Sequence, residues 1–314
     1  MISTAQNDPR QLERLAAQRQ LYATAKQLLV AQIVLSGPIA LASVLLARVY
    51  PGIAAWVALW GFIVLLVDAF GLSPWLDNRR ANAARIQELF DCEVLGLAWN
   101  KIKAGNPPDP ELIKEQADEY AKIADRSPPL RDWYPNIVDC LPLHLARLVC
   151  QRSNCTWDAG LRRRYAAVVF AALALVCVLV LAVSFQKNYN LQNFVLTVLV
   201  PLAPAIRLGY RQIRENNEAA RTLDELKKHL LSVWNSALDG QDEEYISRQS
   251  RELQDEIFHS RRHRPPVFDV VFEILRRSFQ TQMDYAAVEL VEEAKRRLGN
   301  FGGQEPGLGS KCKE

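Results

Sequence analysis

Cys140, His144, Cys150 and Cys155 form the densest grouping of metal-ligating side chains in this 314-residue chain. Thiolates and imidazole are zinc ligands, and on a helix Cys140 and His144 would share one face. The spacing supplies no C-x-x-C knuckle, so packed thiols and an ordinary histidine are the expected reading, with no metal. Catalytic signatures are missing as well. No glycine-rich turn sits between a strand and a helix, no histidine pair is spaced for a zinc helix, and no serine occupies a nucleophile elbow. The glycines of 303–311 have the wrong spacing for a phosphate loop and fall in a tail. The sequence predicts a protein that is not an enzyme and carries no cofactor.

Cationic side chains beside aromatic ones suggest another chemistry, because guanidinium groups hold phosphates and aromatic faces stack on bases. Three clusters have this character: Trp99-Asn100 with Lys101 and Lys103, Trp133-Tyr134 near Arg131, and Arg261, Arg262 and Arg264 beside Phe258 and His259. A third set of polar groups lies in apolar surroundings. Gln32, Ser36 and Ser43 fall within about 40° of each other on a helix, and Asp68 sits one turn inside the end of a second apolar run. Such a stripe either lines a pore or joins helices to one another. Pro38, Pro201 and Pro204 remove helical hydrogen bonds and invite kinks.

The elements that must position these residues are dominated by four charge-free runs, 27–47, 49–67, 165–186 and 188–206. Each is about the ~20 helical residues that a ~30 Å hydrocarbon core requires. The spans are expected at 28–47, 53–73, 165–186 and 189–206, as two hairpins. A buried helix of a soluble bundle would carry a regular polar stripe, and 166–183 carries none beyond Cys177.

Orientation follows from the basic residues. Arg10, Arg14, Arg19, Lys26, Arg79, Arg80, Arg85, Arg162, Arg163, Arg164, Arg207, Arg211 and Arg214 flank one side of the spans, and only Arg48 and Lys187 flank the other. Positive residues stay in the cytoplasm, so both termini and the central loop are expected there. The outer face is then two short turns, and the input this protein reads must be intracellular. The net charge of +3 is a poor guide to partners, because the basic residues concentrate at the span ends; a nucleic-acid polymer would need a basic face within a folded domain.

The remaining segments read as helical. Residues 1–27 form an N-terminal helix, with Asp8-Pro9 as N-cap and first-turn proline. Residues 77–164 form a helical loop domain, within which Asp109-Pro110-Glu111 opens a helix and 92–99 is a short strand or buried turn. Residues 207–298 form a C-terminal helical domain, with a long amphipathic helix ended by Gly240, a second helix broken by Pro265-Pro266, and one or two more. The tail is 299–314.

Four strings have a family character: Leu15 to Tyr22, Arg85 to Cys92, Leu143 to Arg147 with Cys150-Gln151-Arg152, and Leu253 to Phe258. Together with the two-hairpin layout, over about residues 10–298, they resemble the four-transmembrane, pore-forming effectors associated with bacterial SMODS nucleotidyltransferases. The resemblance implies a conflict-system effector. In such systems a synthase senses phage and makes a cyclic or linear oligonucleotide signal, and the effector then damages the membrane. Arg147 and Arg152 lie in these strings, so the ligand-binding set is taken as Arg147, Arg152, Arg261, Arg262, Trp99 and Trp133, and the pore-lining set as Gln32, Ser36, Ser43 and Asp68. A single four-helix protomer is too small to surround an aqueous channel, which makes a homo-oligomer in the lipid bilayer the expected assembly. A non-conducting scaffold or lipid-interacting signalling protein is the alternative, followed by a small transporter.

Overall fold

The computed structural model describes residues 1–38, 42, 46, 49–122, 130–186 and 191–301, and among them every regular element is helical. Ser43 lies outside them. The chain runs through α1 (Ile2–Ala5), α2 (Pro9–Ser36), α3 (Ala54–Val67), a π-helical turn Asp68–Leu72 and α4 (Ser73–Val94). It continues through α5 (Lys101–Ala104), α6 (Pro110–Ala121), a 3-10 turn Asn136–Cys140 and α7 (Leu143–Gln186). Then follow α8 (Leu191–Phe194), a second π-helical turn Val195–Leu199, α9 (Val200–Leu238), α10 (Glu243–His263) and α11 (Asp269–Phe301).

Local chemistry sets several boundaries. The Asp8 carboxylate accepts from Arg10 N–H and Pro9 fills the first helical position, so α2 starts where the sequence placed it. The Asp242 carboxylate accepts from the Glu244 and Tyr245 N–H groups and opens α10. Of the two readings of 92–99, a short strand or a buried turn, the structure takes the turn: α4 runs through Val94, and the chain then turns at Gly96, whose φ of +63° suits a residue without Cβ. The last helix, α11, runs through Gly299 to Phe301.

Contacts fix the directions of the long helices. Gln11 meets Glu93 and Gln32 meets Asp68, so α2 runs antiparallel to the α3–α4 rod. Arg162 meets Asn216 and Leu173 meets Gly209, so α7 runs antiparallel to α9. At Gly61 a Cβ would lie 2.9 Å from both the Pro201 Cα and the Val200 carbonyl oxygen, and the missing side chain is what lets α3 and α9 approach.

Two helical stretches are long and apolar enough to cross a membrane, Ala55–Val94 and Leu143–Ala182. Only 17% and 11% of their most apolar windows are buried, whereas the core helix of a soluble protein would be covered. Trp56, Phe62, Leu66, Phe170, Val178 and Leu179 all lie exposed along them. So large an apolar surface is unfavourable against water and suits hydrocarbon.

At the other end the chain builds a compact core. Phe90, Tyr134, Leu145, Leu223, Trp234, Ile246 and Val291 are buried together, so the loop between α4 and α7 and the C-terminal helices share one interior. The N-terminus is fastened to it. Asp139 accepts from the Ile2 and Ser3 N–H groups, and the buried Gln6 bonds the Tyr134 backbone in both directions.

Candidate functional site

The polar residues of the apolar helices form a knot joining three of them. Gln32 Nε2 donates to Asp68 Oδ1 at 2.5 Å and to Ser73 Oγ at 3.1 Å. Ser73 Oγ donates to Asp68 Oδ1 at 3.0 Å. From α9, Arg211 Nη1 donates to Ser73 Oγ at 2.8 Å, and Arg207 Nη1 lies 3.4 Å from Asp68 Oδ2. Ser36 turns back onto the Gln32 carbonyl at 2.6 Å. Gln32 and Ser36 are 2% and 5% exposed, so these bonds replace water rather than compete with it.

The π-helical turn explains the arrangement. Ser73 N–H bonds the Asp68 carbonyl, a bond spanning five residues. On an α-helix residues five apart point about 140° away from each other; the wider π turn brings Asp68 and Ser73 toward one side, where Gln32 reaches both. The void beside them is about 10 Å³, at the lower limit for a single water. Of the set read as pore-lining, Gln32, Ser36 and Asp68 are thus brought together. Ser73, Arg207 and Arg211 complete the knot and were not anticipated as members. The two arginines were read as basic residues that flank a span and set its orientation, and their four-residue spacing on one helix face was the available signal.

A second polar assembly lies in the compact core. Arg261 Nη1 lies 2.8 Å from Asp91 Oδ2, and Tyr134 donates its O–H to Asp91 Oδ1 at 2.8 Å. Gln254 Nε2 donates to both Glu88 and Asp91, and Gln151 ties Gln254 to Ser250. Arg251 bridges Glu88, Asp255 and the Ala98 carbonyl. Burial, followed by the Asp91 charge, raises the Glu88 carboxyl, with the Arg251 hydrogen bond opposing it. Burial works against the Arg261 cation, but the fields of Asp91, Tyr22, Glu88 and Tyr134 together hold the guanidinium above its ordinary value. The strings that carry the family resemblance supply Glu88, Asp91, Gln151, Gln254 and Asp255, so their side chains interlock from α4, α7 and α10.

The residues read as ligand-binding do not converge. Arg147 is a helix cap, donating to the Leu95 and Gly96 carbonyls at the end of α4 and to Ser247. Arg261 is in the buried ion pair, while Arg262 is exposed one residue on. Arg152 is partly buried, its Nε has no acceptor, and burial lowers its pKa. Trp99 Nε1 donates to the Gly105 carbonyl at 2.8 Å. Trp133 packs edge-on against Phe90 at 6.2 Å, with the Arg19 guanidinium 6.0 Å from its ring. A cleft of about 540 Å³ opens between α9 and α10, but none of these six lines it. Glu225, Glu252, Asp255 and Glu256 face it against Lys103 and His229, a balance that repels a polyanion. Among the described residues no group of His, Cys, Asp and Glu is placed to hold a metal ion.

Comparison with known proteins places this geometry. A probable CBASS effector molecule of Bacillus cereus (strain VD146) is 26% identical over 259 residues, covering 81% of this chain and 85% of that protein. No solved structure matches. Residues 1–290 match the family described as SMODS-associating 4TM effector domain, and the chain belongs to that family.

Proposed function

We propose that this protein is the membrane effector of a bacterial nucleotide-signalling antiviral system. Its spans, at 28–47, 53–73, 165–186 and 189–206, hold the inner membrane closed at rest and disrupt it on activation. Both termini and the helical regions 77–164 and 207–298 are cytoplasmic, where a cyclic or linear oligonucleotide from a nucleotidyltransferase is received. Several copies assemble to conduct, with Gln32, Ser36, Ser43 and Asp68 turned toward the pathway in the open state. The family supports the effector role, and the name of the Bacillus cereus relative supports the signalling context.

The observation that carries the reading is the length of α9. One unbroken helix of 39 residues holds Arg207 and Arg211 at the knot and buries Leu223, Leu230, Trp234 and Leu238 in the compact core. At ~1.5 Å per residue, a displacement of that core reaches the Asp68 knot through a single rod. The test is depolarisation of cells expressing the protein with its cognate nucleotidyltransferase, followed with a potential-sensitive dye. Loss of potential only when both are present is expected. Unchanged potential at full activation would remove the pore and favour a non-conducting scaffold, a reading supported by the small void at the knot.

A further inference from the structure

Arg162 and Arg264 meet at one carboxylate. Arg162 Nε lies 2.9 Å from Asp158 Oδ1, off the direction of a good hydrogen bond, and Arg264 Nη1 contacts Asp158 Oδ2. The two arginines are 7% and 8% exposed. Arg162 has further acceptors in Asn216 Oδ1 at 3.0 Å and the Pro265 carbonyl at 3.1 Å. Arg264 has none: Asp158 is its single partner among the described residues, and its buried Nε is unpaired.

A neighbour adds to the imbalance. Arg80 is equally buried and its Nε is also unpaired; its carboxylates are the exposed Asp77 at 3.0 Å and Glu215 at 4.0 Å. Arg261 is answered by Asp91. Asp158 therefore serves two buried guanidiniums, and buried charge is strongly unfavourable unless it is paired. Burial presses Arg162 down to about 9, which still leaves it protonated at neutral pH.

We propose that Arg162 and Arg264, backed by Arg80, form a site for a phosphate group, whose place Asp158 takes in its absence. Guanidiniums that one oxyanion already bridges are spaced for another. Phosphate offers more acceptor positions than a carboxylate, enough to engage the unpaired Arg264 Nε as well as Arg162. Arg162 lies three residues before Tyr165, where the apolar run of α7 begins, so the site sits at the depth of lipid headgroups and also faces the soluble core. A lipid phosphodiester and a free nucleotide phosphate offer the same chemistry there. Only the nucleotide source rests on the effector reading.

The experiment uses the full chain in nanodiscs, with the unfolding midpoint as readout. Phosphatidylcholine discs are titrated with inorganic phosphate and with a cyclic dinucleotide, and a parallel set contains phosphatidylglycerol. Stabilisation by either soluble probe assigns a free phosphate; stabilisation confined to phosphatidylglycerol assigns the phosphodiester of an anionic lipid. Asp158→Asn removes the internal competitor and should tighten binding of the effective probe about tenfold, and Arg264→Gln should abolish binding while Arg264→Lys keeps part of it. The proposal is overturned if no probe acts on the wild type or on Asp158→Asn, or if Arg264→Gln binds like the wild type. Binding is read without conductance, so this result stands apart from that of the depolarisation test.

Discussion

Gln32 Nε2 donates to Asp68 Oδ1 at 2.5 Å, joining two antiparallel helices where the second leaves α-helical geometry. Asp68 also accepts from Ser73 and pairs with Arg207. Arg207 is half exposed, so its share of the holding energy is small. The bonds from buried Gln32 matter more, because breaking them strands a carboxamide in apolar surroundings.

The first prediction follows from that difference. Asp68→Leu removes the acceptor shared by Gln32, Ser73 and Arg207. Loss of one charge-assisted bond, about 1.5–3 kcal/mol, would raise the open population roughly ten- to a hundred-fold. Cells expressing Asp68→Leu should depolarise without the nucleotidyltransferase, at wild-type abundance in the membrane fraction. Quiet cells would mean that the knot does not hold the closed state.

A second prediction concerns helix packing. The Cβ of Gly61→Ala would meet Pro201 and Val200 backbone at 2.9 Å, and backbone has no rotamer to yield. Separating α3 from α9 should cost about 1–3 kcal/mol, the usual range for overpacking. Thermal unfolding of detergent-purified protein measures it. Gly71→Ala, where nothing lies within 4 Å, is the control and should be neutral.

These residues show which parts of the structure were legible. Asp8, Pro9, Asp242 and Gly240 punctuate the chain by local chemistry, so helix boundaries near them were readable from types alone. Gln32 and Asp68 stood out because polar groups in an apolar run need partners. Their partner Ser73 did not, since five residues separate it from Asp68 and only a π turn aligns the two. The compact core was the hardest. Arg147 and Arg261 have the charge of ligand-binding residues, yet one caps α4 and the other neutralises Asp91 at a separation of 170 residues. No spacing rule reports a pairing that long. The continuity of Leu95-Gly96 as a turn rather than a strand likewise depends on Arg147 accepting the task of capping it.

The third prediction is a pH dependence at Glu88, whose folded carboxyl is raised from the ordinary 4.5 by burial and by Asp91. A raised carboxyl favours the protonated form in the folded state. Its stabilising contribution is complete below the unfolded value near 4.5 and is lost as pH rises through the folded value. Glu88→Gln should therefore be more stable than the wild type at neutral pH, with the advantage shrinking as pH falls toward the ordinary carboxylate range. Unfolding midpoints taken across that range decide it, and an advantage that grows on acidification would contradict the argument.

The fourth prediction tests topology, which the basic clusters 79–85, 162–164 and 207–214 motivate. Reporter fusions after Asp109 and after Arg214 should report cytoplasm, and one within 187–190 should report periplasm. A periplasmic signal at Asp109 would overturn the four-span arrangement.

The last prediction separates structure from ligand recognition at Arg261. Its guanidinium and the Asp91 carboxylate are 7% and 0% exposed and lie 2.8 Å apart. Removing one member leaves the other charged in the interior, at a cost of about 3–5 kcal/mol, whereas replacing both with apolar groups of similar volume is often close to neutral. Arg261→Met and Asp91→Leu should each lower the unfolding midpoint sharply, and the double variant should recover much of the loss. Tyr134 and Gln254 also bond Asp91, so recovery will be incomplete. Arg262→Ala is the companion measurement. It is exposed beside this pair, so it can change ligand affinity without moving the midpoint. If Arg261→Met leaves stability intact while weakening binding of the activating nucleotide, Arg261 is a ligand residue; a large stability loss that Asp91→Leu reverses assigns it to the core.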